Sequence, residues 1–232
     1  MPHMRPLHSL HLHEQVLLLA LRNDKGTVAG GVMHQQAAGG AILAELILEG
    51  RLRVETEGRS TWAVVSNRAS TGDAILDECL RRVSESKRRG TLRTWVQRFG
   101  AVKQLKHRAA AALVDKGVLR EEEDTVLLLF TRRIYPELDP AYERLIIERL
   151  ERAIYSDTAS VDPSTTVLVG LAHHAGLLKA NLDKTRLKAR KDRIKSITAG
   201  DAIGKATKQA IEAVQAAMIV AAIMPGIIAS SH

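Results

Sequence analysis

The sequence predicts a mainly α-helical protein with two short β-hairpins, on three observations. Over most of the chain apolar residues recur three and four apart, as in residues 73–86, where Ile75, Leu76, Cys79, Leu80 and Val83 share one face. Two stretches break that rhythm and read as strand, charged turn, strand: RLRVE to TWAVVS, turning at Glu57-Gly58-Arg59, and VLREEEDTVLLLF, turning at Glu121-Glu122-Glu123-Asp124. A balance of 45% apolar and 26% charged residues over 232 positions gives a real core, in one large domain or two small ones.

Each element follows from local chemistry. MPHMRPLHSLHLHEQ lacks the apolar core of a secretory leader, and VLLLAL at 16–21 is too short for one, so it reads as a buried helical piece ended by the turn residues Asn23-Asp24-Lys25-Gly26. After a glycine-rich stretch, Ile42, Leu43, Leu46 and Ile47 mark a helix that Gly50 stops. Asp73 is placed to cap the helix over 73–86, and a basic turn, SKRRG, leads to another over 91–99. A helix from Val102 puts Val102, Leu105, Ala109, Ala112 and Leu113 on one side, Lys103 and His107 opposite, and Lys106 on the border, before Gly117 ends it. Helix, glycine stop, strand, turn and strand thus occur twice, at 44–65 and 111–130.

The last third is mostly helix. Leu145, Ile146, Leu150 and Ile154 form an inner face, and TTVLVGLAHHAGLLKANL is apolar enough for a central buried helix. LDKTRLKARKDRIKSIT reads as a solvated basic surface helix. AAMIVAAIMPGIIA, 216–229, is broken by Pro225-Gly226 and falls short of the roughly 20 residues that cross a bilayer, so it is expected to be a buried closing helix.

Against 26 acidic residues stand 34 Lys and Arg, a net charge of +8. That excess suits an anionic partner (nucleic acid, an acidic membrane or an acidic protein), or an evenly solvated surface. Cys79 alone excludes a disulfide framework, there is no Cys/His zinc pattern, and a reducing cytosol is the natural setting. No nucleophile stands beside a base, and AGGVMHQQAAGG lacks the Lys-Ser/Thr of a phosphate-binding loop, so neither catalysis nor a cofactor is expected. His8, His11 and His13 alternate on a segment expected to be mobile, where a stray metal is all they would hold, and His173-His174 diverge by about 100° on their helix, one of them expected as a satisfied core histidine. A helix followed by a two-stranded wing also outlines a winged helix, although the acidic EEED turn would meet phosphates with the wrong charge.

LHEQVLLLALRNDKGTV at 12–28, AELILEGRLRVE at 44–55, TGDAILDECL at 71–80 and ALVDKGVL at 112–119 together resemble, in order and spacing, the Golgi phosphoprotein 3 family. LVGLAHHAGLL at 168–178 and IEAVQAAMIVAAI are similar to its last helices. The resemblance implies a single domain over 12–224 with a central helix bundle and surface hairpins, a flexible segment at 1–11 and a tail at 225–232. It implies a non-enzymatic, reversibly membrane-associated cytoplasmic adapter that binds phosphatidylinositol 4-phosphate and the cytosolic tails of membrane proteins, at the Golgi if the source is eukaryotic.

The family's head-group pocket uses two arginines three apart ahead of the LV-[DE]-KGVL motif, which fall here on Lys103 and Lys106, with Arg108 as a supporting charge. A tryptophan and a third arginine of that pocket fall at about Gly30 and on Gly39. Lysine is a point charge without the two-pronged reach of arginine, so looser head-group selection is expected. The family's hydrophobic hairpin, used in membrane contact and self-association to a homo-oligomer, corresponds to residues 122–131; its apolar part is Val126, Leu127, Leu128, Leu129 and Phe130, with Leu127 to Leu129 as the insertion tip.

Overall fold

In a computed structural model the described residues are 10–22, 25–126, 130–157, 161–199, 208–212 and 215. The chain opens with α1 (Leu12–Ala20), every residue of which is buried. Leu10 packs into the core and His13 is 1% exposed, so His11 and His13 belong to a buried helix start rather than to a mobile segment; His8 lies outside the described residues. A two-residue ladder, β1 (Leu21–Arg22) against β2 (Thr27–Val28), adds a third small sheet to the two expected.

At the centre runs α2 (His34–Leu48), packed against α1, against α4 (Leu92–Gly100) and against α7 (Pro163–His174). The sequence placed Gly39 and Gly40 in a loose stretch ahead of this helix, whereas both are buried inside it. Close packing explains them: a Cβ on Gly39 would come within 2.3 Å of the Val96 carbonyl oxygen, and one on Gly100 within 2.7 Å of that of Gln35. The two backbones touch because neither helix carries a side chain at the crossing.

The first hairpin, β3 (Leu52–Glu57) and β4 (Ser60–Val65), pairs Leu52 with Val65 through Glu57 with Ser60, as the alternation predicts. Gln209 reaches its backbone, accepting from Val54 N and donating to Val54 O. In α3 (Ala74–Ser84), Asp73 caps as expected, its Oδ1 accepting from Ile75 N at 2.9 Å and Leu76 N at 2.8 Å. Thr91 does the same for α4, accepting from Thr94 N at 3.2 Å.

Two boundaries differ from expectation near the basic stripe. The helix expected from Val102 begins three residues later, as α5 (Leu105–Asp115), because Gln104 takes a left-handed conformation with φ 55°. Lys103 therefore sits in the preceding turn. Secondly, Glu122, Glu123 and Asp124 are not a turn: β5 (Glu122–Val126) pairs with β6 (Phe130–Ile134), setting Glu123 opposite Arg133 and Asp124 opposite Arg132. Cross-strand charge complementarity outweighs the poor strand propensity of the acids. Val126 and Phe130 close the ladder; Leu127, Leu128 and Leu129 lie outside the described residues.

Beyond α6 (Ala141–Tyr155) two expected single helices are each divided. Gly176, at φ 79°, separates α7 from α8 (Leu177–Asn181), and Arg190 separates α9 (Lys184–Ala189) from α10 (Lys191–Ala199). The basic run is not wholly solvated. Leu187, Ile194 and Ile197 are buried, Arg186 lies 4.0 Å over the Tyr155 ring, and Arg193 donates to Ala153 O. His173 and His174, half-buried at the end of α7, meet edge-on at 4.8 Å rather than converging, so neither is the fully buried histidine expected there. The closing helix expected at 216–229 lies outside the described residues.

Candidate lipid head-group site

A cavity of about 370 Å³ opens where the first turns of α2 and α5 meet α1. Val16, Leu17, Val28 and Leu105 give it an apolar lining, and His13, His34, Gln35, Gln104, Lys106 and His107 supply its polar groups. No carboxylate lines it among the described residues. Neither Met33, before α2, nor Gln104, before α5, caps its helix with a side chain. Two helix N-termini, each with first-turn N–H groups lacking a side-chain cap and the positive end of its dipole, thus contribute to one cavity.

Lys106 is half-buried at this cavity and forms no ion pair among the described residues. Burial lowers its proton affinity below the ordinary lysine value, and the charge of Arg132 on β6 lowers it further. His34 is likewise lowered, by burial and then by Lys106. His107, whose Nδ1 lies 2.9 Å from the Tyr135 hydroxyl, is lowered by burial, then by Lys106 and Arg133. Burial is the largest cause of all three shifts, and neighbouring cations add to each. An anion placed there would relieve all three.

The expected site residues do not all gather here. Lys103 is exposed in the turn before α5 and makes no ion pair among the described residues. Arg108 points elsewhere: its Nη1 donates to Glu78 Oε2 at 2.5 Å, joining α5 to α3, and Glu78 also accepts from Arg82. Held by both arginines, the Glu78 carboxyl titrates below its usual range although burial opposes this. Gly39, where the resemblance sets an arginine, faces α4, and Gly30 lies in an exposed turn with nothing within 4 Å of a built Cβ. The uncapped helix ends, His34 and Gln35 had no signal in the sequence, because they come together only through the contact of α2, α1 and α5.

On the hairpin, Arg132 and Arg133 flank the cavity closely enough to affect Lys106 and His107. Both are themselves tied to acids, Arg132 to Asp124 at 2.6 Å and Arg133 to Glu121 at 3.5 Å.

A central bundle, short hairpins and a cavity lined by one lysine define the molecule as a mainly helical protein. The chain belongs to the Golgi phosphoprotein 3 (GPP34) family, whose profile matches residues 12–214. It is similar to the vacuolar protein sorting-associated protein 74 of Schizosaccharomyces pombe, 28% identical over 173 residues. That match covers 67% of this chain and 51% of the relative, so the chain spans about half the length of the curated protein it matches.

Proposed function

We propose that this protein is a non-enzymatic adapter that attaches reversibly to membranes by holding an anionic phospholipid head group at the Lys106 cavity. The observation that carries this reading is a half-buried lysine with no ion-pair partner among the described residues, set beside two uncapped helix N-termini in a cavity without carboxylates. Its volume, about 370 Å³, falls within the usual range for small-molecule sites. Lys103, outside it, adds long-range attraction to an acidic surface.

Head-group selection is broad. Without the family's tryptophan and arginine, Lys106 offers a point charge and the helix ends offer N–H groups, which suit any phosphate rather than one inositol isomer. Each basic side chain near an acidic surface contributes about 1 kcal/mol, so lysines alone hold the protein weakly. Among the described residues Leu138, 57% exposed, is the one large apolar side chain at the surface, and the apolar segment 126–130, the counterpart of the family's hydrophobic hairpin, is the part that inserts into lipid or joins a second copy. No helix among the described residues is long and apolar enough to cross a membrane. A role in sorting, by gripping the cytosolic tails of membrane proteins, fits the name of the yeast relative and follows attachment in this scheme.

Co-sedimentation with three kinds of liposome tests the reading: neutral, generally acidic, and neutral doped with phosphatidylinositol 4-phosphate at matched charge. Comparable binding to both charged sets, fading as salt rises, is expected. Recovery with neither charged set would refute it.

A further inference from the structure

At the inner wall of the cavity, which His13 helps to line, lies a second cluster whose carboxylates are not among the lining residues. His13, at the start of α1, has a side chain with no exposure, and neither of its ring nitrogens has a hydrogen-bond partner among the described residues. Both nonetheless face carboxylates. Nε2 is 3.9 Å from Asp73 Oδ2 and Nδ1 is 4.0 Å from Glu45 Oε2, too long for direct hydrogen bonds. A buried imidazole aimed at acids on both sides without bonding either needs something between them.

The donor set points to a cation. One ligand atom each from His13, Glu14 and Asp73, all buried, lies within 4.8 Å of the others. Donors about 2.0–2.2 Å from a tetrahedral ion stand roughly 3.4 Å apart, so the three groups would draw inward by about 1 Å to close on it. Asp73 is already divided for the task. Its Oδ1 caps α3, while Oδ2 is turned to the imidazole. Glu45 Oε2, 4.0 Å from His13 Nδ1, stands where it can orient the ring while Nε2 faces Asp73.

Carboxylates and cations both adjoin this cluster. His11 Nδ1 lies 2.9 Å from Glu45 Oε1, and Glu45 Oε2 accepts from Leu12 N at 2.8 Å, so a third carboxylate adjoins the cluster. Lys116 answers part of this negative charge, donating to both Glu14 oxygens at 2.7 and 2.6 Å.

We propose that His13, Glu14 and Asp73 form a buried structural site for one divalent transition-metal ion of the Zn²⁺ type, which staples the start of α1 to the cap of α3. One imidazole and two carboxylates favour such an ion over Mg²⁺ or Ca²⁺, which prefer oxygen-only shells. The ion competes with Lys116 for Glu14.

Calorimetric titration of the chelator-treated full chain with Zn²⁺, Mg²⁺ and Ca²⁺, paired with thermal denaturation, tests this. One equivalent of Zn²⁺ binds and raises Tm, while Mg²⁺ and Ca²⁺ at the same concentration do neither. His13→Leu, which puts an apolar side chain in an apolar surround, loses that equivalent and the Tm shift. Asp73→Asn keeps a capping oxygen and also loses them, so it decides the matter should His13→Leu fail to fold. Lys116→Met lowers the Tm of the metal-free protein and enlarges the Zn²⁺-induced rise. Absence of stoichiometric Zn²⁺ binding, or binding that survives Asp73→Asn unchanged, overturns the site; the first result would leave a bridging water between these groups instead.

Discussion

Lys103 and Lys106 are three apart in sequence but physically unalike. The turn at Gln104 leaves Lys103 exposed in bulk solvent, where its charge is screened, while Lys106 sits half-buried in a cavity with two helix ends. Lys106→Glu therefore weakens binding to acidic liposomes about tenfold or more at low salt, and Lys103→Glu only severalfold, consistent with about 1 kcal/mol per charge. Arg108 behaves differently from both. Because it is tied to Glu78, Arg108→Ala leaves liposome recovery unchanged and costs roughly 1 kcal/mol in denaturant unfolding. That two lysines precede the LVDKGVL stretch could be read from the sequence; that one is exposed and the other lines a cavity could not, because it depends on the turn at Gln104. The tie of Arg108 to Glu78 could not be read there, because its partner lies 30 residues upstream on another helix.

Among the elements, those defined by their own pattern were read correctly and those defined by contact were not. Asp73 and Thr91 cap where local chemistry places them, and the alternation of β3 and β4 gives their register. The division of α7 from α8, the strand made of acids and the glycines inside α2 all depend on what packs opposite. Gly39→Ala tests the last of these. Its methyl group meets the backbone of Val96, which cannot swing away as a side chain could, so unfolding free energy falls by about 1–3 kcal/mol. At the end of α7, burial and then His173 depress His174 to about 4. Its folded pKa lies below the ordinary 6.5, so its contribution is complete above about pH 6.5 and is lost as pH falls towards 4, where the unfolded chain takes a proton that the folded one refuses. Denaturation midpoints should drop between pH 7 and pH 5, and His174→Phe should flatten that drop.

For the whole molecule, the family was legible because its motifs are spread along the chain and match over residues 12–214, even though each is short. Chemistry at the cavity was not, because it depends on helix ends converging from α2 and α5. That geometry carries a pH signature. His34 and His107 are held below their ordinary values by burial and by Lys106, so an anion that offsets this environment raises both. Binding to phosphatidylglycerol vesicles, whose phosphodiester charge stays constant, therefore strengthens as pH falls from 7.5 to 5.5. The most direct measurement follows the imidazole resonances of His34 and His107 through a pH titration, with and without a soluble short-chain phosphatidylglycerol, with His174 as the internal reference. Upward movement of both pKa values on adding the lipid, with His174 still, is the predicted result. If His34 and His107 titrate identically with and without lipid while the protein still sediments with acidic vesicles, the head group is held elsewhere and the Lys106 cavity is not the site.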